Sequence, residues 1–135
     1  MATNSQAIAW TGNDDRLNVL IGIEKKTIDN EESKHGPALA FFNGSLYLAW
    51  TGTNKELNVM SSPDGVNWAN KVTLGDTSGV GPALANAGSS LLLVFAGVDH
   101  KLNVISSTDG VKWGNKRTEN ETSNDEPAVA IGAFA

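Results

Sequence analysis

Polar and apolar residues along this chain fall into a pattern that recurs. From Gly36 to Val80, short runs rich in Leu, Val, Phe, Tyr and Trp are separated by Asn-Gly, Thr-Asn-Lys and Pro-Asp-Gly. Those separators are turn chemistry, and nothing between them has the length or the 3.6-residue period of an amphipathic helix. The pattern predicts four strands, near Ala38 to Phe42, Leu46 to Thr51, Leu57 to Ser61 and Asn67 to Leu74. The second, Leu46-Tyr47-Leu48-Ala49-Trp50, is apolar on both alternating faces, which a strand buried between two neighbouring sheets requires.

The unit is repeated at once from Gly81 to Asp125, with 23 of 45 positions identical. Chance would leave only a few matches, so a duplication made this chain. A period of 45 residues suits either propeller blades or helical arrays, and a four-stranded meander without long amphipathic helices selects the blade. Residues 1–35 form a third, partial copy. Trp10-Thr11-Gly12 repeats Trp50-Thr51-Gly52, and Leu17-Asn18-Val19 repeats Leu57-Asn58-Val59. Leu20 to Glu24 then replaces a longer hairpin, after which Lys26 aligns on Lys71 and Ser33 on Ser78. Nothing ahead of Trp10 supplies a first strand. That strand stands at the other end, where Glu126-Pro127-Ala128-Val129-Ala130 repeats the Gly-Pro-Ala-Leu-Ala start of the other copies.

The expected fold is therefore all-β: a β-propeller segment of three blades in one domain spanning residues 1–135. Residues 36–80 and 81–125 are whole blades, and residues 1–35 form a blade with residues 126–135 of a partner chain. Three blades cannot close a ring, and propellers typically carry roughly four to eight. A homodimer with six blades, each copy lending its C-terminal strand to the other's first blade, leaves no sheet edge free. An open fragment of a longer array and a nine-bladed trimer are the alternatives.

Composition narrows the partners. The chain is 40% hydrophobic and 19% charged with 14 Gly, and no apolar run is long enough to insert into a membrane. The absence of Cys removes disulfides and thiolate metal sites and leaves localisation open, with secretion as one setting. No signal peptide is visible in the polar start Met1-Ala2-Thr3-Asn4-Ser5. A net charge of −5, with Lys25-Lys26 and Lys116-Arg117 the only basic pairs, argues against nucleic acid. His35 and His100 are isolated, so no metal or other cofactor is expected.

One motif is shared by the two whole units: Ser61-Ser62-Pro63-Asp64-Gly65-Val66-Asn67-Trp68 and Ser106-Ser107-Thr108-Asp109-Gly110-Val111-Lys112-Trp113. Asp before Gly fits a type I turn closed by a glycine in the left-handed region. The Ser hydroxyls and the carboxylate can hold nearby amides while the Trp ring packs back over the turn. The structural set is Ser62, Asp64, Gly65 and Trp68, with Ser107, Asp109, Gly110 and Trp113.

With these residues the sequence resembles the Asp-box repeat of sialidases and of bacterial sialidase-like propellers, whose pattern is Ser-x-Asp-x-Gly-x-x-Trp. Gly65 and Trp68 keep that spacing, whereas Asp64 sits directly before its glycine. The resemblance implies architecture, because in that family the boxes lie on outer hairpins remote from the active site. It also implies what a working sialidase carries: three arginines, a tyrosine nucleophile paired with a glutamate, and an aspartate acid/base. This chain has only Arg16 and Arg117, and its single Tyr47 lies within an apolar strand. An enzyme is not expected.

Recognition remains. The second-to-third hairpins and the links between blades share one polar face, and the residues singled out there are Trp10, Asp15, Arg16, Trp50, Asn54, Glu56, Asp76, Asp99 and His100. Carboxylates and amides beside tryptophans can hold a sugar by hydrogen bonds and ring stacking. The competing reading places Trp10, Trp50 and Phe95, which share one repeat position, in the core between blades. Asn18, Asn58 and Asn103 recur between Leu and Val, either bonding the backbone of a neighbouring strand or lining a crevice. The expected function is a non-catalytic, lectin-like module that binds glycans. A self-assembling scaffold without a ligand and a degenerate sialidase-like glycosidase are the rivals.

Overall fold

The computed structural model describes residues 5–133, and within them every regular element is a strand. Three antiparallel meanders follow one another. The first holds β1 (Ala7–Thr11), β2 (Arg16–Ile21) and β3 (Glu24–Glu32). Its four-stranded successor holds β4 (Ala38–Phe42), β5 (Ser45–Thr51), β6 (Glu56–Ser62) and β7 (Ala69–Thr77). The last holds β8 (Ala83–Asn86), β9 (Leu91–Ala96), β10 (Lys101–Ser107) and β11 (Gly114–Thr122). Residues 1–4 and 134–135, the outermost parts of the expected split blade, lie outside the described residues.

Because successive side chains in a strand point to opposite faces, each sheet carries two apolar surfaces. Leu17, Val19 and Ile28 of the first sheet meet Leu48 and Trp50 of the second in one core. Leu57, Val59 and Leu74, their counterparts in the second sheet, meet Leu91, Leu93 and Phe95 of the third. The contact therefore has a direction: the rear face of one sheet always meets the front face of the next. The two outermost faces have nothing against them among the described residues. Ile8 on the front of the first sheet is 43% exposed, whereas its counterpart Leu48 is fully buried. On the rear of the third sheet Leu102 and Val104 are only half-buried, whereas Leu57 and Val59 are closed off.

The first sheet also has an open edge. Among the described residues β1 pairs with β2 alone, so its other side offers unpaired backbone groups. Glu126 to Ala133, which repeat the first strand of the other units, make no ladder with any described strand. Glu126 instead turns its carboxylate toward the starts of the other copies, accepting the Gly36 amide at 3.1 Å.

Two sequence expectations need correction. The fourth strand of the second unit begins at Ala69 rather than Asn67, because Asn67 and Trp68 are tied into the preceding hairpin. The counterpart of Lys71 is Lys25, not Lys26. Asn18 pairs with Thr27 as Asn58 pairs with Thr73, which fixes the register two residues away. The bulge beyond that pair holds one residue more in β3 than in β7, and Asn30 takes up a left-handed φ of 62° there.

The two long hairpins are built alike. The Gly65 amide donates to Ser62 Oγ at 2.8 Å, and the Val66 and Asn67 amides both donate to Asp64 Oδ1 at 2.9 Å. Trp68 closes the loop by donating Nε1–H to the Gly65 carbonyl at 2.9 Å. Ser107, Asp109, Gly110 and Trp113 repeat these bonds in the third sheet. Each hairpin is also seated on the sheet before it. A Cβ on Gly65 would lie 2.7 Å from Ile21 Cδ1, and one on Gly110 would strike the Tyr47 ring. Both glycines have positive φ, 81° and 77°, so two separate constraints demand glycine. Tyr47 is core, its hydroxyl donating to the Asp109 carbonyl at 3.3 Å.

The Asn67 and Val66 amides, then the side chains of Asn67 and Ser62, hold the Asp64 carboxyl well below its ordinary value of 3.8. The Lys112 and Val111 amides do the same for Asp109. A carboxylate with a depressed folded pKa contributes its full stability above the unfolded value and loses it as pH falls through the folded one. Asp64→Asn and Asp109→Asn should therefore lower stability at neutral pH. In urea melts repeated at falling pH, the gap from wild type should narrow once pH drops below about 4. A gap that stays constant with pH would count against these hairpin bonds.

Candidate binding clefts between the sheets

Wherever one sheet meets the next, a polar cleft opens above the shared core, and its parts come from equivalent repeat positions. In the first cleft Lys71 Nζ lies 5.8 Å from the centre of the Trp50 ring and 2.9 Å from Glu31 on the preceding sheet. In the second, Lys116 Nζ lies 5.9 Å from the Phe95 ring and 2.9 Å from Asp76. The aromatic face attracts the ammonium and the carboxylate fixes its direction, so each lysine bridges two sheets. The far wall is a tight turn, with Asn54 and Glu56 in the first cleft and Asp99 and Lys101 in the second.

The floor is organised by the recurring asparagines. Asn58 donates from Nδ2 to the Glu56 carbonyl at 3.0 Å and accepts from Thr73 Oγ1 at 2.7 Å. Asn18 with Arg16 and Thr27, and Asn103 with Lys101 and Thr118, repeat both bonds. Each asparagine thus gives a second donor to a backbone carbonyl that already accepts the amide of the turn glycine, and ties its strand to the next. The backbone bonded is that of the asparagine's own strand, not of a neighbouring one as expected, and Asn58 and Asn103 also line their clefts.

The residues expected from the sequence divide among these places. Trp50, Asn54 and Glu56 come together in the first cleft, and Asp76 and Asp99 in the second. Trp50 itself has 0% exposure and sits beneath Lys71, so it offers no ring face on which a sugar could stack. Trp10, at the same repeat position, is half-buried, because no sheet stands in front of it. Asp15 and Arg16 belong to the turn of the first sheet, Asp15 3.6 Å from Lys34 and Arg16 3.9 Å from Asp14. His100 is exposed at the matching turn of the third sheet, with φ 69°. The lysines are what sequence reasoning missed. Their signal was present, since Asn70-Lys71 recurs as Asn115-Lys116.

Chemically, the clefts offer carboxylates, amides, hydroxyls and ammonium groups, one in the first and two in the second, a set suited to hydrogen bonding with a polyhydroxylated ligand. Among the described residues no group of three or more His, Asp or Glu side chains is placed to hold a metal ion.

No protein-family model matches this chain, and no curated protein matches it. Among solved structures it resembles a fucose lectin from Kordia zhangzhouensis, determined in complex with methyl-fucoside. The TM-score is 0.55 at 9% identity, covering 87% of this chain and 90% of that one. At that identity the likeness is one of fold.

Proposed function

We propose that this chain is a non-catalytic carbohydrate-binding module that closes with a second copy into a six-bladed β-propeller. The observation that carries the reading is the polar cleft repeated between successive sheets, with an amide, a carboxylate and a lysine at equivalent positions. The fold likeness to a lectin solved with methyl-fucoside supports it. So does the pair of outward apolar faces, which match each other as the inner faces do. The hairpins resembling Asp boxes fit the same architecture. Without a triad of arginines, and with Tyr47 buried, the residues of a sialidase centre are missing from this chain.

The test is a glycan array that includes fucosides, run with the full chain at high concentration, where repeated sites gain avidity. Asn54→Ala, at an exposed turn, should leave stability nearly unchanged; Asp76→Ala, half-buried and paired with Lys116, should cost on the order of 1 kcal/mol or less; both should weaken binding to whichever glycan the array identifies. Binding that survives both changes places the site elsewhere. The alternative is a scaffold without a ligand, favoured by the internal pairing of Lys71 with Glu31 and Lys116 with Asp76. A blank array would favour it.

A further inference from the structure

The chain begins and ends in half-clefts. Lys25 Nζ lies 5.9 Å from the Trp10 ring, as Lys71 lies over Trp50 and Lys116 over Phe95. Among the described residues no carboxylate pairs with Lys25, while both of its counterparts bind an acid on the preceding sheet. That acid is Glu31, then Asp76, and 45 residues further on it is Glu121 near the end of β11. Glu121 is exposed and makes no ion pair among the described residues, whereas Glu31 in the first cleft is only 15% exposed.

Resting on the reading that two copies close a ring, we infer that Glu121 of a second copy pairs with Lys25 and completes a third cleft, with Trp10 as its floor. The apolar surfaces below support the same docking. Ile8 and Trp10 stand where Leu48 and Trp50 do, and Leu102 and Val104 stand where Leu17 and Val19 do. The rear of the third sheet therefore fits the front of another copy's first sheet by the packing already used twice within the chain. Each seam sets one patch against a different one, and in a closed two-fold pair the seam occurs twice, Lys25 meeting Glu121 in both directions. By that two-fold symmetry each chain holds two clefts of its own and shares two more with its partner, each composed of both copies.

Charge reversal tests this on the full chain. Lys25→Glu sets like charges against each other at both interfaces, and Glu121→Lys does the same. Followed by sedimentation velocity over a concentration series, each single variant should pair at least roughly tenfold more weakly than wild type. Both positions are exposed, and circular dichroism would verify that the variants keep their strands. An equimolar mixture of the two variants should recover pairing, because every reversed residue then faces a reversed partner. The double variant alone should recover it too. If wild type pairs and neither the mixture nor the double variant does better than the singles, the Lys25–Glu121 contact is wrong and the ring can still stand. If wild type sediments only as a 14.2 kDa chain, the ring is wrong and this contact falls with it.

Discussion

Deleting residues 126–135 should give a chain that neither pairs nor melts cooperatively. Its described part, residues 126–133, makes no ladder, and among the described residues β1 has an open edge of matching apolar character. The repeats even specify the register. Ala38, Leu39 and Ala40 lie opposite Ala49, Leu48 and Tyr47, and Ala83 and Leu84 lie opposite Val94 and Leu93. In the proposed ring the same spacing sets Ala128, Val129 and Ala130 of one copy opposite Ala9, Ile8 and Ala7 of the other. An unpaired edge with apolar faces invites aggregation, so the truncated chain should be lost to association rather than persist as a stable monomer. Asp15→Ala, which removes an exposed ion pair with Lys34, and Glu56→Ala, which frees Asn54, should leave pairing unchanged and melting nearly so. Sedimentation and thermal melts of the three proteins decide the matter. A truncated chain that still formed a well-folded pair would refute strand exchange.

Trp50→Ala is expected to be the most damaging single substitution, at about 3–5 kcal/mol. The ring is fully buried between the first two sheets, packed with Leu17, Val19 and Leu48. Its loss opens a cavity shared by two sheets and removes the surface beneath Lys71. Trp68→Ala and Trp113→Ala act on half-buried rings that close hairpins and should cost roughly half as much. Urea denaturation of the three variants gives the ranking. If Trp50→Ala cost less than either hairpin variant, the division between core and hairpin tryptophans would be mistaken.

The strands and the duplication were legible because alternation and turn chemistry are local. Phe42, Leu48 and Val59 are buried within strands that the pattern alone places, and Asp64-Gly65 turns where its residue types require. The use made of Trp50 was harder to read. A tryptophan at the end of a strand beside polar turns suits a sugar platform or a core equally, and only the sheet standing opposite decides. Lys25, Lys71 and Lys116 escaped notice for a related reason. All three lie over a ring across a strand pair, and Lys71 and Lys116 also pair with an acid about 40 residues away on another sheet. The slip from Lys25 to Lys26 has a backbone cause, since a bulge that absorbs one extra residue leaves no mark in the pattern of apolar positions.

The short turn between β2 and β3 bears on how long an assembled ring would last. Gly22 and Ile23 form it where the other sheets carry the Ser-x-Asp-Gly hairpin, and Ile23 is fully exposed. Those longer hairpins reach back and clasp the sheet before them, Gly65 on Ile21 and Gly110 on Tyr47. The first sheet has no such clasp to extend onto a neighbour. In the proposed ring both junctions between chains are therefore fastened by one element fewer than the junctions inside a chain. Dissociation would start at those seams and needs only the exchanged C-terminal strand to peel from β1, so differently labelled rings should trade subunits faster than the chains unfold.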